Sequence, residues 1–217
     1  MPVYGYYPVG ESIMQTISHI LKGILGGLCL ITSLGAIAAP TVQTAVFAGG
    51  CFWGVDAVFK HVKGVSDVVS GYAGGSAATA NYEQVSRGDS GHAEAVRVRF
   101  DPAQVSYRQL LQVFFGVAHD PTQLNRQGPD VGKQYRSAIF YTDAAQQKAA
   151  QDYIRQLADT RVYVAPIVTQ VVPLQQFFSA EEYHQNYLAR HSYQPYIVIH
   201  DMPKLDRLRK ELPALYR

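Results

Sequence analysis

Short apolar blocks separated by glycine-rich and polar stretches run along this chain from about residue 44. Thr44-Ala45-Val46-Phe47-Ala48 is apolar with β-branched and aromatic residues, and Val55-Asp56-Ala57-Val58-Phe59 has its apolar positions at helical spacing. Between them lies Gly49-Gly50-Cys51-Phe52-Trp53-Gly54, so the pattern predicts a strand, a Gly-Gly turn and a helix. Asp67 to Tyr72 reads as a strand ending in the Gly74-Gly75-Ser76 loop, and residues 76 to 92, rich in Ser, Thr, Asn and Gly, read as a long loop. Glu94 to Phe100 alternates in polarity and stops at Asp101-Pro102. Ser106 is placed to cap a helix carrying Leu110, Leu111, Phe114 and Phe115, and a second Gly-rich loop spans His119 to Lys133. Ser137 to Tyr141 is a predicted strand, Asp143 caps a helix through Leu157, and Val162 to Val172 is a further strand. Ser179 with Glu182 forms a capping box for a helix through Arg190, Ile197-Val198-Ile199 is short and apolar, and Lys204 to Leu212 is helical.

Strands alternating with helices, one of them with clear alternation of polarity, predict an α+β sandwich of the split βαβ type with one sheet face open. At 217 residues and 47% hydrophobic the chain is long enough for one domain with a sizeable core. A net charge of +2 without any dense Lys/Arg block lacks the footprint of a nucleic-acid binder. The seven histidines are scattered, and neither CxxC nor HExxH occurs, so no metal site is expected.

The first 38 residues form a separate object. Lys22 precedes a nearly uncharged apolar stretch from Gly23 to Ala39 that closes in Ala36-Ile37-Ala38-Ala39-Pro40. This has the form of a secretory signal peptide cleaved after Ala38, with a catalytic domain over 39–217. An uncleaved membrane anchor is the alternative, but the run is short for a span of about 20 residues and is interrupted by Gly23, Gly26, Gly27 and Gly35. Residues before Met14 carry Glu11 and no cation, which makes Met14 a candidate initiator. The expectation is an exported protein, periplasmic or secreted, that loses Cys29 with its leader and keeps Cys51 as its one thiol.

Cys51 at a helix N-terminus would meet unpaired N–H groups and the helix dipole, which favour thiolate over thiol. Gly49 and Gly50 would let the backbone bend and leave room for a ligand, and Phe52 and Trp53 could build an apolar wall beside the sulfur. A buried structural cysteine is the plainer alternative. Glu94 shares strand parity with Val96, Val98 and Phe100, which puts a carboxyl on the apolar face at the strand's start. If buried, its pKa would climb from about 4.3 toward that of a general acid near neutral pH; if the strand starts one residue later, it is a solvated end.

GCFWG, followed in order by Gly71-Tyr72-Ala73-Gly74-Gly75, Asn81-Tyr82-Glu83, Gly91-His92-Ala93-Glu94-Ala95-Val96, His119-Asp120-Pro121-Thr122-Gln123 and Gln134-Tyr135-Arg136-Ser137, resembles the peptide methionine sulfoxide reductases of the A type. The resemblance runs from about Thr44 to the C-terminus. It implies a ferredoxin-like plait with long loop excursions and thiol-dependent reduction of methionine-S-sulfoxide, free or in proteins, through a cysteine sulfenic acid. A thiolate attacks sulfur while the oxygen gains a proton, so the resemblance casts Cys51 as nucleophile and Glu94 as acid, with Tyr82 and Tyr135 holding the oxygen. It further implies that Phe52 and Trp53 enclose the substrate methyl group, that Asp130 supports the site by hydrogen bonding, and that His184 and Tyr187 line it. His184 and Tyr187, three apart on the predicted helix, would share a face.

Many family members carry a recycling cysteine after a tyrosine that corresponds to Tyr196; here Ile197 stands in its place, and no cysteine follows Cys51. The chain thus resembles the single-cysteine members, with no bound cofactor, and needs an external thiol: a thioredoxin-like protein, a glutaredoxin-like protein or a small thiol. Its expected partners are that reductant and oxidised proteins or peptides; a monomer without stable membrane contact is expected. Two rival functions stand beside this one. Cys51 could serve a hydrolase or acyltransferase, activated by His92, His119 or His184, or Phe52 and Trp53 could grip a sulfoxide in a binding module without turnover.

Overall fold

The computed structural model describes residues 41–217; the expected leader with its cleavage position, and Cys29, lie outside the described residues. Six strands form one mixed sheet in the order β7-β6-β1-β3-β2-β8: β1 (Gln43–Gly49), β2 (Val65–Ala73), β3 (Ala93–Phe100), β6 (Ser137–Tyr141), β7 (Gln170–Pro173) and β8 (Phe177–Ser179). A separate ribbon pairs β4 (Arg126–Gln127) with β5 (Asp130–Val131). β3 runs antiparallel to both β1 and β2, so β1 and β2 are parallel with β3 between them, and helix α1 (Phe52–Lys60) makes the connection. This mixed α/β fold carries its strands in a single main sheet.

Alternation decides which side chains enter the core. Ala45 and Phe47 of β1, Val96, Val98 and Phe100 of β3 and Ile139 of β6 join the main cluster with Val55, Val58 and Phe59 of α1. Phe47 stacks between Phe59 at 5.1 Å and Phe114 at 4.9 Å between ring centroids. Such pairs add about 0.5–1.5 kcal/mol each beyond area burial, and they pin α1 to the strand that leads into it. The opposite face is not left open. Val46, Ala48, Ala73, Ala95 and Phe140 form a second cluster covered by Val172, Leu174 and Phe177, and the Arg97 guanidinium lies 5.3 Å from the Phe177 ring centre. β7 and β8, joined by a three-residue link, wrap around both sheet edges and bring that cover with them.

The remaining helices are α2 (Tyr82–Ser86), α3 (Tyr107–Val113), α4 (Ala144–Asp159), α5 (Tyr187–Arg190) and α6 (Met202–Glu211). Ser106 and Gln109 form a complete capping box at α3, and the Asp143 side chain accepts the Gln146 N–H at α4. Three further expectations are corrected. The loop over 76–92 contains α2, capped by Asn81 accepting from Gln84, because five residues are too few to show a period. Within Val162 to Val172 only the last three residues are strand; Pro166 interrupts the run, and Val164 lies in solvent with no strand beside it. No helix runs from Ser179 to Arg190: Ser179 ends β8, a 3-10 turn covers Glu182–His184, and Asn186 at φ +54° breaks the chain before α5.

Candidate active site

The turn after β1 sets the geometry. Gly50 has φ +90°, and a Cβ there would lie 2.5 Å from the Gln127 side chain, so the position requires glycine for both backbone and space. The space is filled by protein, since Gln127 bonds both backbone groups of Asp120 through its amide and His119 crowds Gly49. Cys51 caps α1 at 8% exposure. Its own side chain does not bond the helix N–H groups; the Phe52 N–H donates instead to Glu94 Oε2 at 3.0 Å, reaching across from β3. Glu94 is 2% exposed and on the face shared with Val96, Val98 and Phe100, as its strand parity requires.

Burial controls the protonation states. It lifts the Glu94 carboxyl to about 8, opposed by the Phe52 N–H and reinforced by the charge of Asp130. Burial opposes the expected thiolate: it drives the Cys51 thiol well above its ordinary range, with the carboxyls of Glu94 and Asp201 adding to it. The nearby Trp53 backbone N–H and the charge of Lys204 pull the other way and lose. Tyr82 and Tyr135, both half-buried, are held protonated by burial and by the nearby Glu94 charge.

Around this pair stands an aromatic box. Phe52, 1% exposed, packs 5.9 Å from Tyr72 and 5.0 Å from His184, and forms a floor rather than an open wall. Trp53 is half-buried, stacked on Tyr187 at 3.7 Å and 5°, and its Nε1–H donates to His184 Nδ1 at 3.1 Å. His184 also lies 4.5 Å from the Tyr82 ring, and its buried Nε2 has no partner among the described residues. His184 and Tyr187 thus meet through Trp53 although no single helix carries them. Tyr82 leads α2 with its N–H on Glu181, and Tyr135 closes a 3-10 turn before β6. Asp130 in β5 accepts from the Tyr196 hydroxyl, whose ring stands edge-on to Trp53 at 6.0 Å.

A cleft of about 120 Å³ exposes Cys51 among Gln127, Asp130, Tyr196, His200 and Lys204. Sequence reasoning missed Asp201 and Lys204, which form an ion pair at 3.1 Å, with Asp201 packed against Gly54 in the first turn of α1. Their only signal was the i, i+3 spacing of opposite charges, which is common on any helix. Tyr196 was singled out solely as the neighbour of the missing cysteine.

None of the three histidines proposed for hydrolytic chemistry serves Cys51. His92 bonds the Gly75 N–H and the Ser76 carbonyl, His119 bonds the Phe114 carbonyl and the Ser137 hydroxyl, and His184 accepts from Trp53. Among the described residues no group of three or more His, Cys, Asp or Glu side chains is arranged to hold a metal ion.

A buried carboxylic acid bonded to the first N–H after a cysteine, ringed by phenols and an indole, defines a thiol-dependent reductase site, and comparison with known proteins gives its class. A family model described as peptide methionine sulfoxide reductase matches residues 43–214. The chain is 55% identical over 179 residues to the peptide methionine sulfoxide reductase MsrA 2 of Mesorhizobium japonicum, covering 82% of this chain and 92% of that protein. It is 48% identical over 206 residues to MsrA of Deinococcus radiodurans, covering 95% and 96% of the two chains. Methionine sulfoxide reductase A of Corynebacterium diphtheriae superposes with a TM-score of 0.63 at 33% identity, over 73% of this chain and 80% of that one. The chain belongs to the peptide methionine sulfoxide reductase family. Within it the chain is of the A type, a peptide-methionine (S)-S-oxide reductase that converts methionine-S-sulfoxide to methionine.

The raised Glu94 pKa has a consequence that can be read without turnover. The unfolded chain ionises this carboxyl near 4.5, whereas the native chain holds its proton to about 8. Native protein therefore binds the extra proton between those values and loses stability as pH rises through them. Urea unfolding at pH 5 and pH 8 should show this loss in wild type and a smaller one in Glu94→Gln. The difference between the two proteins cancels Asp56 and His119, which also titrate in that window. Equal losses would mean that Glu94 is ionised in the native state.

Proposed function

We propose that Cys51 is the nucleophile and protonated Glu94 the proton donor to the sulfoxide oxygen. The observation that carries this is the Phe52 N–H···Glu94 bond, which holds a neutral carboxyl one residue from the sulfur. As the Cys51 sulfur attacks the substrate sulfur, Glu94 gives its proton to the oxygen and recovers one from the thiol. Two electrons pass from Cys51 to the methionine sulfur, the oxygen ends on Cys51, and the net change is thiol plus sulfoxide to sulfenic acid plus thioether. Tyr82 and Tyr135, kept as neutral phenols, donate hydrogen bonds to the oxygen as its charge grows. Trp53, with Tyr187 and His184 behind it and Phe52 below, receives the substrate methyl group, and Asp130 fixes Tyr196 at the rim.

No cysteine among the described residues accompanies Cys51, so recycling falls to an external thiol. The sulfenic acid condenses with it, releasing water and forming a mixed disulfide, and a second thiol releases Cys51. Oxidised proteins or peptides are the substrates, a thioredoxin-like, glutaredoxin-like or small thiol the reductant, and the enzyme acts as a monomer; a sedimentation profile showing a dimer would remove the last of these. We also class the four strands β6-β1-β3-β2 with their helices as a ferredoxin-like plait, supported by their order and directions; a crystal structure with another order would overturn that.

Single-turnover kinetics test the acid. Glu94→Gln keeps shape and one acceptor but donates a proton poorly, so sulfoxide reduction should slow by roughly a hundredfold or more. The wild-type rate should fall as pH rises past about 8, where the carboxyl ionises. Matching rates and pH profiles in the two proteins would reduce Glu94 to a structural role.

Stoichiometry tests the cycle. Excess sulfoxide without reductant should yield about one methionine per chain and a dimedone-reactive Cys51. A yield near two would mean that a further group resolves the intermediate.

Export rests on Lys22, the apolar stretch after it and the small residues at Ala36 and Ala38. Intact mass of native protein should give a chain beginning at or near Ala39 and lacking Cys29. A full-length chain held in the membrane would favour the anchor.

A further inference from the structure

Beside the cysteine cleft opens a second hollow of about 670 Å³, within the range of sites that take small molecules. The two share Gln127, His200 and Lys204 as a common wall. Gln127 is fixed by its paired bonds to Asp120, so the wall is built rather than loose. The hollow continues over Pro203, Arg207, Tyr163 and Val164. Two cations line it: Lys204, held at 3.1 Å by the buried Asp201, and the more exposed Arg207, 3.8 Å from Glu211. Asp120 is the one carboxylate on the lining, and it is committed to Thr122 and Gln123. None of the reductase steps uses this hollow.

We propose that it is a subsite for the recycling reductant, and that it takes a low-molecular-weight thiol bearing carboxylate groups. This rests on the reductase reading and names which class of thiol serves it. Carboxylates settle on Arg207 and Lys204, and the sulfur enters over the shared wall to Cys51. Cys51 is 8% exposed at the end of a narrow cleft, so a slender CH₂–SH reaches it where a broad protein surface is held off. The first thiol condenses with the sulfenic acid to give the mixed disulfide and water. A second thiol attacks its sulfur, returning Cys51 as thiol and leaving as the oxidised dimer, so that two thiols are oxidised for each methionine formed.

The test compares thiols on the full mature enzyme at saturating blocked methionine-S-sulfoxide. Glutathione, its diethyl ester, in which both carboxylates are masked, and dithiothreitol serve as reductants. Saturation by glutathione is expected, with a KM lower than that of the ester by roughly fivefold or more, the scale of one partly exposed ion pair. Arg207→Gln should close most of that gap. Equal KM values for glutathione and ester in wild type, with good dithiothreitol turnover, would overturn the subsite and leave the reductase reading intact. No turnover with dithiothreitol would remove both. If Arg207→Gln raises the KM for the sulfoxide peptide and not for glutathione, the hollow belongs to the peptide and the proposal fails. The ester comparison in wild type stands even if the variant does not fold.

Discussion

The hydrogen bond from the Phe52 N–H to Glu94 joins the sheet to the first turn of α1, and the site's other properties follow from it. A helix start leaves N–H groups without partners, and the usual remedy is a capping side chain from the residue just before. Cys51 occupies that position and does not cap, which leaves its sulfur free of that duty. A carboxyl from another element takes the duty. That element must bring Glu94 into the core, where an ionised carboxylate is costly, so the capping oxygen belongs to an acid that keeps its proton near neutral pH.

Burial thus favours the protonated form of both Glu94 and Cys51, and for the thiol the dipole of a nine-residue helix works against it. A thiol buried beside two carboxyls resists ionisation and, with it, wasteful oxidation. In the proposed reaction its proton leaves as Glu94 gives its own to the sulfoxide. The two shifts act as one device: the same desolvation that suppresses the thiolate keeps the acid loaded. Asp201 and Lys204 trim this balance with opposite signs from the far side of the first turn.

Local rules made part of this legible in the sequence. The strand-turn-helix around Cys51, the parity of Glu94, and the caps at Ser106 and Asp143 each depend on a few neighbouring residues, and each appears in the structure. The thiolate expectation met an opposing force that no local pattern shows, because dipole and burial pull against one another and burial depends on the packed core. The Ser179–Arg190 stretch reads as a helix in its caps, but Asn186 in the left-handed region and Gln185 clasping Ser70 and Ala180 make it a strap over the site. That clasp spans 115 residues of sequence and leaves no local mark. Asp201 escaped for a related reason. A π-turn over Ile197–Asp201 rotates it onto Gly54, and turns of that kind, frequent at functional sites, have no simple sequence signature.

The same π-turn explains why the position of the missing recycling thiol is now structural. Successive residues on a helical turn diverge by roughly 100°, so Tyr196 and Ile197 cannot face the same way. Tyr196 faces the cleft and bonds Asp130. Ile197 is fully buried against Ala57 and Leu188, where it helps hold α1 against the C-terminal segment. A cysteine placed there would lie in that apolar cluster. The segment is built to support the nucleophile's helix from behind.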